Sequence, residues 1–285
     1  MSDAIVMVAD EGYFDHARSV LVNCKRQGQW DGDYCIIAPA SSNADDFTAR
    51  GIDVFSVPDS DWTFMTKLWV FTDYFRKWDH VFCTDLDVMV QGPLRKVFDG
   101  LSPKCPSIMA HMEDLTTMHG LRYWTEQSGG VPNEAMLATL EQRYPHINER
   151  MYNMAFLFFA PESIPLDTRD KLLAIHEEFQ ELNPTAADQM IVNLLLFDQL
   201  EEAGKDYFEF FGNDDPGSRV FSEFRKWRGD EYPSVLHYTR WHAPWIVKQD
   251  LAPPMGGYSN ERLNRICHEL YAENLAAFEA EFPYE

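Results

Sequence analysis

An α/β fold, with a mainly parallel sheet flanked by helices, is predicted by three features of the sequence. Across the first ninety residues, short apolar runs of strand type alternate with helical patterns, as expected where crossover helices join parallel strands. The 285 residues, 45% of them hydrophobic and 14% aromatic, suffice to bury a sizeable core. An Asp85-Leu86-Asp87 pair closes an apolar strand, at the carboxyl edge where parallel sheets present groups to a ligand.

The elements follow in order. Ala4 to Ala9 reads as the first strand, and a helix from about Asp15 to Arg26 puts Ala17, Val20, Leu21 and Cys24 on one face. Tyr34 to Ala38 and Ile52 to Val57 are the next strands, separated by a polar stretch and a short helix. Leu68, Phe71, Phe75 and Trp78 recur at steps of three and four and predict one helix, which feeds the strand Val81 to Thr84. From Pro103 to Arg150, Gly129-Gly130, Pro132 and Pro145 break the pattern, and an inserted loop and helix region is expected. Tyr152 to Phe159 is a buried strand, Ala187 to Leu200 a helix, and Val235 to Tyr238 a short strand. The tail from Glu261 carries Leu263, Ile266, Leu270, Leu275 and Phe278 at near-helical spacing. With no internal repeat and no convincing linker, one domain spanning 1–285 is expected. It divides into about 1–100, about 101–250 and a closing helix at about 259–282.

Acidic residues outnumber basic ones 46 to 24, and the formal charge of -22 opposes non-specific binding to nucleic acid or anionic membrane. An anionic ligand therefore needs local positive charge from a metal or from placed Lys and Arg residues. No apolar run approaches the roughly 18 to 20 residues of a bilayer span, so no membrane anchor and a cytoplasmic location are expected. The cysteines at 24, 35, 83, 105 and 267 form no C-x-x-C pair, which argues for reduced structural thiols over a disulfide framework or zinc site.

Two carboxylates two residues apart, as in Asp85 and Asp87, can point to one side and share a hard divalent cation through oxygen. The same pattern also arises as a strand end capped by solvated acids. A phosphatase-type aspartyl nucleophile would be followed closely by Gly and Thr, whereas Val88 and Met89 follow here.

Six short motifs stand in order along the chain: ADEGY at 9–13, TKLW at 66–69, DLD at 85–87, YNMAF at 152–156, DQMIVN at 188–193 and HYTRWHAPW at 237–245. In order and spacing the set resembles glycosyltransferase family 8, the group of glycogenin and the bacterial lipopolysaccharide galactosyltransferases. The resemblance spans about residues 4 to 245 and makes about 1–100 the nucleotide-binding half and about 101–250 the acceptor and sugar side. It implies a GT-A-like, Rossmann-type mixed and mainly parallel sheet, a UDP-sugar donor and Mn2+ (or Mg2+). Carried over position by position, it makes Asp10 and Tyr13 contacts of the uracil base, and Lys67 a cation that reaches the donor. Asp85, Asp87 and His237 become the metal ligands, with Asp85 also near the donor ribose or sugar. Asn153, Asp188 and Gln189 line the sugar and reaction pocket, where amides and carboxylates read hydroxyls. An Asp opening a helix, as Asp188 does, is also an ordinary cap.

Three positions depart from the family pattern. Arg240 stands where the last motif has Gly, and Ala243 stands where it has the Lys that holds the donor diphosphate; Ala155 also replaces a usual Gly. Arg240, His242 or Lys248 would have to replace the lost charge, and Arg240 is preferred because a guanidinium holds phosphate oxygens bidentately. The expected activity is metal-dependent, retaining transfer of a hexose from a UDP-sugar to a carbohydrate or other hydroxyl acceptor, with Gln189 and Asp188 at the reaction centre. The alternatives are a degenerate UDP-sugar-binding protein and a nucleotide-sugar hydrolase.

Overall fold

The computed structural model describes residues 2–90, 92–95, 108–182, 187–202, 208–211, 235–238 and 261–284. Strands β1 (Asp3–Val8), β2 (Asp33–Pro39), β3 (Asp53–Val57) and β4 (His80–Thr84) lie parallel. They join β7 (Arg150–Phe159), β6 (Ile108–Thr116) and β8 (Leu200–Glu202) in a seven-stranded sheet ordered β3-β2-β1-β4-β7-β6-β8. Only the two pairings of β7, with β4 and with β6, are antiparallel, so the sheet is mixed and mainly parallel, as expected. A second sheet of three strands has β10 (Val235–Tyr238) between β5 (Val88–Val90) and β9 (Phe208–Phe211).

Both faces of the large sheet are covered, which explains why its strands read as continuous apolar runs. Side chains alternate between two cores: Ala4, Val6, Cys35, Ile37, Val81 and Cys83 enter one, and Ile5, Met7, Ile36 and Phe82 enter the other. Helix α1 (Phe14–Arg26) and the short α2 (Asp45–Thr48) cover the second core. Helices α3 (Thr117–Gln127), α4 (Glu134–Arg143), α5 (Thr168–Phe179) and α6 (Ala187–Leu196) pack on the first. The closing helix α7 (Glu261–Glu281) lies against α1, with Phe278 and, just beyond it, Phe282 buried in the second core.

Three expectations change. The single helix through Leu68 and Trp78 is instead two 3-10 helices, Thr66–Phe71 and Asp73–Lys77, separated by Thr72 in an extended conformation. Thr72 turns its hydroxyl onto the Trp69 carbonyl at 2.7 Å and so ends the first turn. Leu68 and Phe71, like Phe75 and Trp78, are three apart because these turns have three residues each, and the step of four crosses the break. The irregular middle contains a nine-residue strand, β6, besides helices α3 and α4. Met109 and Asp114 interrupt the alternation of Ala110 and Met112 with His111 and Glu113, in the stretches where the pairing with β7 shifts register. Finally, α6 ends at Leu196, and Leu200 opens β8 instead of closing the helix. Cys24, Cys35 and Cys83 are free and buried, and burial pushes the Cys83 thiol up to about 12.

Candidate active site

The parallel pairing of β1 and β4 sets Met7 opposite Thr84, so the chain leaves both strands at the same edge. Asp10 emerges after β1 and Asp85 to Asp87 after β4. Strand β7 runs the other way, with Phe156 opposite Thr84, so its earlier residues reach that edge too. The Asp85 N–H donates to the Ala155 carbonyl at 2.6 Å, extending the ladder into the Asp-Leu-Asp segment.

Lys67 is the electrostatic centre of this edge. It is 8% exposed, and its Nζ donates to Met154 O at 2.7 Å and to Asp85 Oδ1. Burial alone would lower its pKa, but the nearby Asp85 and Asp188 carboxylates outweigh that and hold it above the ordinary lysine value. Asp188, in the first turn of α6, responds in the opposite sense: burial raises its pKa, and Lys67 offsets this only in part. Lys67, expected to reach the donor from a helix start, thus sits in a 3-10 turn with its ammonium committed to β7 and Asp85. That placement follows from the break at Thr72 and from burial, which demands partners for an ammonium.

Two buried asparagines fix the strands of the site. Asn193 accepts from the Tyr152 N–H at 2.7 Å and donates to the carbonyls of Tyr152 and Gln189, each at 2.8 Å. It ties α6 to β7 and so sets Gln189 against the strand, where its Oε1 lies 3.5 Å from the Met154 N and its Nε2 3.5 Å from Met151 Sδ. Asn23 of α1 does the same to β5, accepting from the Val90 N–H at 2.6 Å and donating to its carbonyl at 3.0 Å. Neither asparagine was given a role from sequence. The available signal was a polar residue on the apolar face of each helix.

The remaining expected residues are placed as follows. Asn153 is buried, and its Oδ1 accepts from the Ala155 N–H at 2.7 Å. Asp10 caps the 3-10 turn Glu11–Tyr13, accepting from the Gly12 N–H at 2.9 Å. A Cβ on Gly12 would come within 3.2 Å of that carboxylate, so glycine lets the turn close. Tyr13 is half exposed beside it. Asp87 is partly exposed, and the antiparallel β5-β10 ladder sets His237 opposite Val88, one residue away. The His237 side chain lies outside the described residues, as do Arg240, His242, Ala243 and Lys248. Among the described residues no group of three His, Cys, Asp or Glu side chains is assembled for a metal. Asp85, Asp87 and the backbone of His237 are nevertheless brought to one edge by two sheets.

Acidic and amide side chains gather at the carboxyl edge of a mixed sheet, over the buried Lys67, and that is the edge at which α/β folds present groups to ligands. Solved glycosyltransferases share this fold. The galactosyltransferase LgtC, in complex with donor and acceptor sugar analogues, matches with a TM-score of 0.62 at 14% identity over 95% of each chain. The glycosyltransferase GlyE of Streptococcus pneumoniae TIGR4 matches at 0.59 and 17% identity, over 100% of this chain and 66% of that one. The bifunctional glycosyltransferase WbbM matches at 0.62 and 16% identity, over 96% of this chain and 50% of that one. The chain therefore has the GT-A fold of these enzymes. No protein-family model matches the sequence, and no curated protein does.

Proposed function

We propose that the chain is a metal-dependent, retaining glycosyltransferase that moves a hexose from a UDP-sugar to a hydroxyl acceptor. The observation that carries this reading is the gathering of Lys67, Asp85, Asp188 and Gln189 beside β7, at the edge where the Asp-Leu-Asp segment leaves β4 of a glycosyltransferase fold. The donor set suits Mn2+ or Mg2+, because Asp85 and Asp87 offer hard oxygen ligands two residues apart and β10 brings His237 alongside. Bound there, such a metal neutralises the negative charge left on UDP as the sugar departs.

The chain's own residues supply the rest. Lys67 holds one oxygen of Asp85, which fixes the carboxylate before any ligand arrives and lowers the reorganisation needed on binding. Asp10 and the exposed ring of Tyr13 suit the edge and face of the uracil. Asn153, Asp188 and Gln189 suit the sugar hydroxyls, because amides both donate and accept and a carboxylate accepts. Among the described residues no carboxylate is assigned as a covalent nucleophile, and same-face attack guided by Gln189 and Asp188 is the favoured route to retention. Arg240 is assigned to the diphosphate.

The test is a panel of UDP-sugars screened by thermal shift with and without Mn2+, because ligand binding to the folded state alone raises apparent stability. The preferred donor is then assayed for transfer. Ala243 favours a second reading, a UDP-sugar-binding protein without turnover; binding with neither transfer nor donor hydrolysis selects it. Free sugar released at one rate with and without acceptors selects a hydrolase.

A further inference from the structure

The base-binding end of the site is connected to the closing helix. Tyr13, His16 and Ser19 are three residues apart, spacing that puts neighbours on one side of a helix, and His16 and Ser19 both meet Tyr271 of α7. The Tyr271 hydroxyl lies 3.0 Å from His16 Nδ1, and the two rings meet edge to face at 5.6 Å. The Ser19 hydroxyl donates to the Tyr271 carbonyl at 3.2 Å. The far side of the His16 ring meets the Tyr13 ring at 5.3 Å and an interplanar angle of 83°. Burial lowers the His16 pKa against the pull of Asp15, and burial together with Asp15 raises that of Tyr271. Both groups are therefore neutral near pH 7, and they share one hydrogen bond whose direction the imidazole tautomer sets.

We propose that Tyr271 is a positioning residue for nucleotide binding, acting through the imidazole of His16 to hold the exposed Tyr13 ring as a platform for a pyrimidine base. This rests on the reading of Tyr13 as a base contact. A ring exposed to half its surface samples several rotamers, and restricting it before the ligand arrives removes an entropic cost of binding. The hydrogen bond fixes the imidazole plane, and its edge fixes the phenol. A helix some 250 residues distant in sequence, with no ligand contact assigned to it, thereby sets the affinity for the base.

The experiment is a double-mutant cycle on the full chain, titrating UDP in Mn2+ by calorimetry. Tyr13→Ala weakens UDP binding. Tyr271→Phe, which keeps the ring and loses the hydroxyl, weakens it by about threefold to tenfold. Added to Tyr13→Ala, Tyr271→Phe has no further effect, because its influence passes through that ring. His16→Asn, which keeps a polar partner for Tyr271 but offers no ring edge, is the second variant and behaves like Tyr271→Phe. Equal weakening in both backgrounds would mean that Tyr271 merely docks the helix, and it overturns the proposal. So does UDP binding by Tyr271→Phe and His16→Asn that matches the parent. A parent chain that does not bind UDP contradicts the functional reading instead.

Discussion

Replacing Lys67 by Met would leave Asp85 and Asp188 without the ammonium that both now face. The Lys67 side chain is 9% exposed and that of Asp85 38%, so water screens one end of the pair and the full penalty of an uncompensated buried charge does not apply. A loss of about 1 to 3 kcal/mol in urea denaturation is expected on that basis. A variant as stable as the parent would show that the pair contributes nothing to the fold. Asp188 gives a pH dependence of defined sign. Its folded-state pKa is held above the ordinary 3.8, so the folded protein keeps this proton longer than the unfolded chain does. Its contribution to stability is therefore complete below about pH 3.8 and is lost as pH rises through the folded value. Asp188→Asn cannot ionise, and its melting temperature should fall less, or rise more, than the parent's between about pH 4 and 7. Identical pH profiles would contradict the assignment. From the sequence, the carboxylates and amides of this edge were legible because motifs mark them. The partners of Lys67 were not, since Met154 O and Asp85 reach it only through tertiary packing.

Asn193 shows what an element needs to hold a site. Its amide satisfies both backbone groups of Tyr152, which are buried, and caps the partly buried Gln189 carbonyl. Asn193→Leu strands those groups, and an unsatisfied buried polar group costs about 1 to 3 kcal/mol, so destabilisation of about 2 to 3 kcal/mol is expected. Chemical denaturation measures it, and a change under about 0.5 kcal/mol would show that water or rearrangement replaces the amide. The parallel strands were legible in the sequence because a two-sided core makes each a run of apolar residues. Strand β6 was not, because Met109 and Asp114 break the apolar-polar alternation where its register against β7 shifts, and steps of three and four fit two 3-10 turns as well as one helix. The asparagine clamps lay hidden for a related reason: periodicity predicts which face is buried but not which backbone group a buried amide will meet.

At the scale of the molecule, a charge of -22 makes binding of an anion a problem that the site must solve locally. The same charge bears on lipid. Helix α7 buries Phe278 and its following Phe282 against α1, and residues 261–285 hold six acidic and two basic side chains. Among the described residues no helix is long and apolar enough to cross a membrane. Co-sedimentation with anionic vesicles at moderate salt is therefore not expected, and its observation would mean that α7 can leave α1. The mixed, mainly parallel sheet agrees with the alternation of strand and helix patterns in the sequence, whereas the diphosphate contact assigned to Arg240 depends on residues 239–260, outside the described part of the chain.

The central claim is that UDP binds through a divalent metal held at the Asp-Leu-Asp edge. Calorimetric titration of UDP into the parent chain and Asp87→Asn, each with Mn2+ and with chelator, tests it most directly. The account predicts tight binding by the parent only with Mn2+, and binding by Asp87→Asn weakened by about tenfold or more, because losing a charged ligand costs on the order of 1.5 to 3 kcal/mol. Equal UDP affinity in chelator and in Mn2+, unchanged by Asp87→Asn, would contradict it.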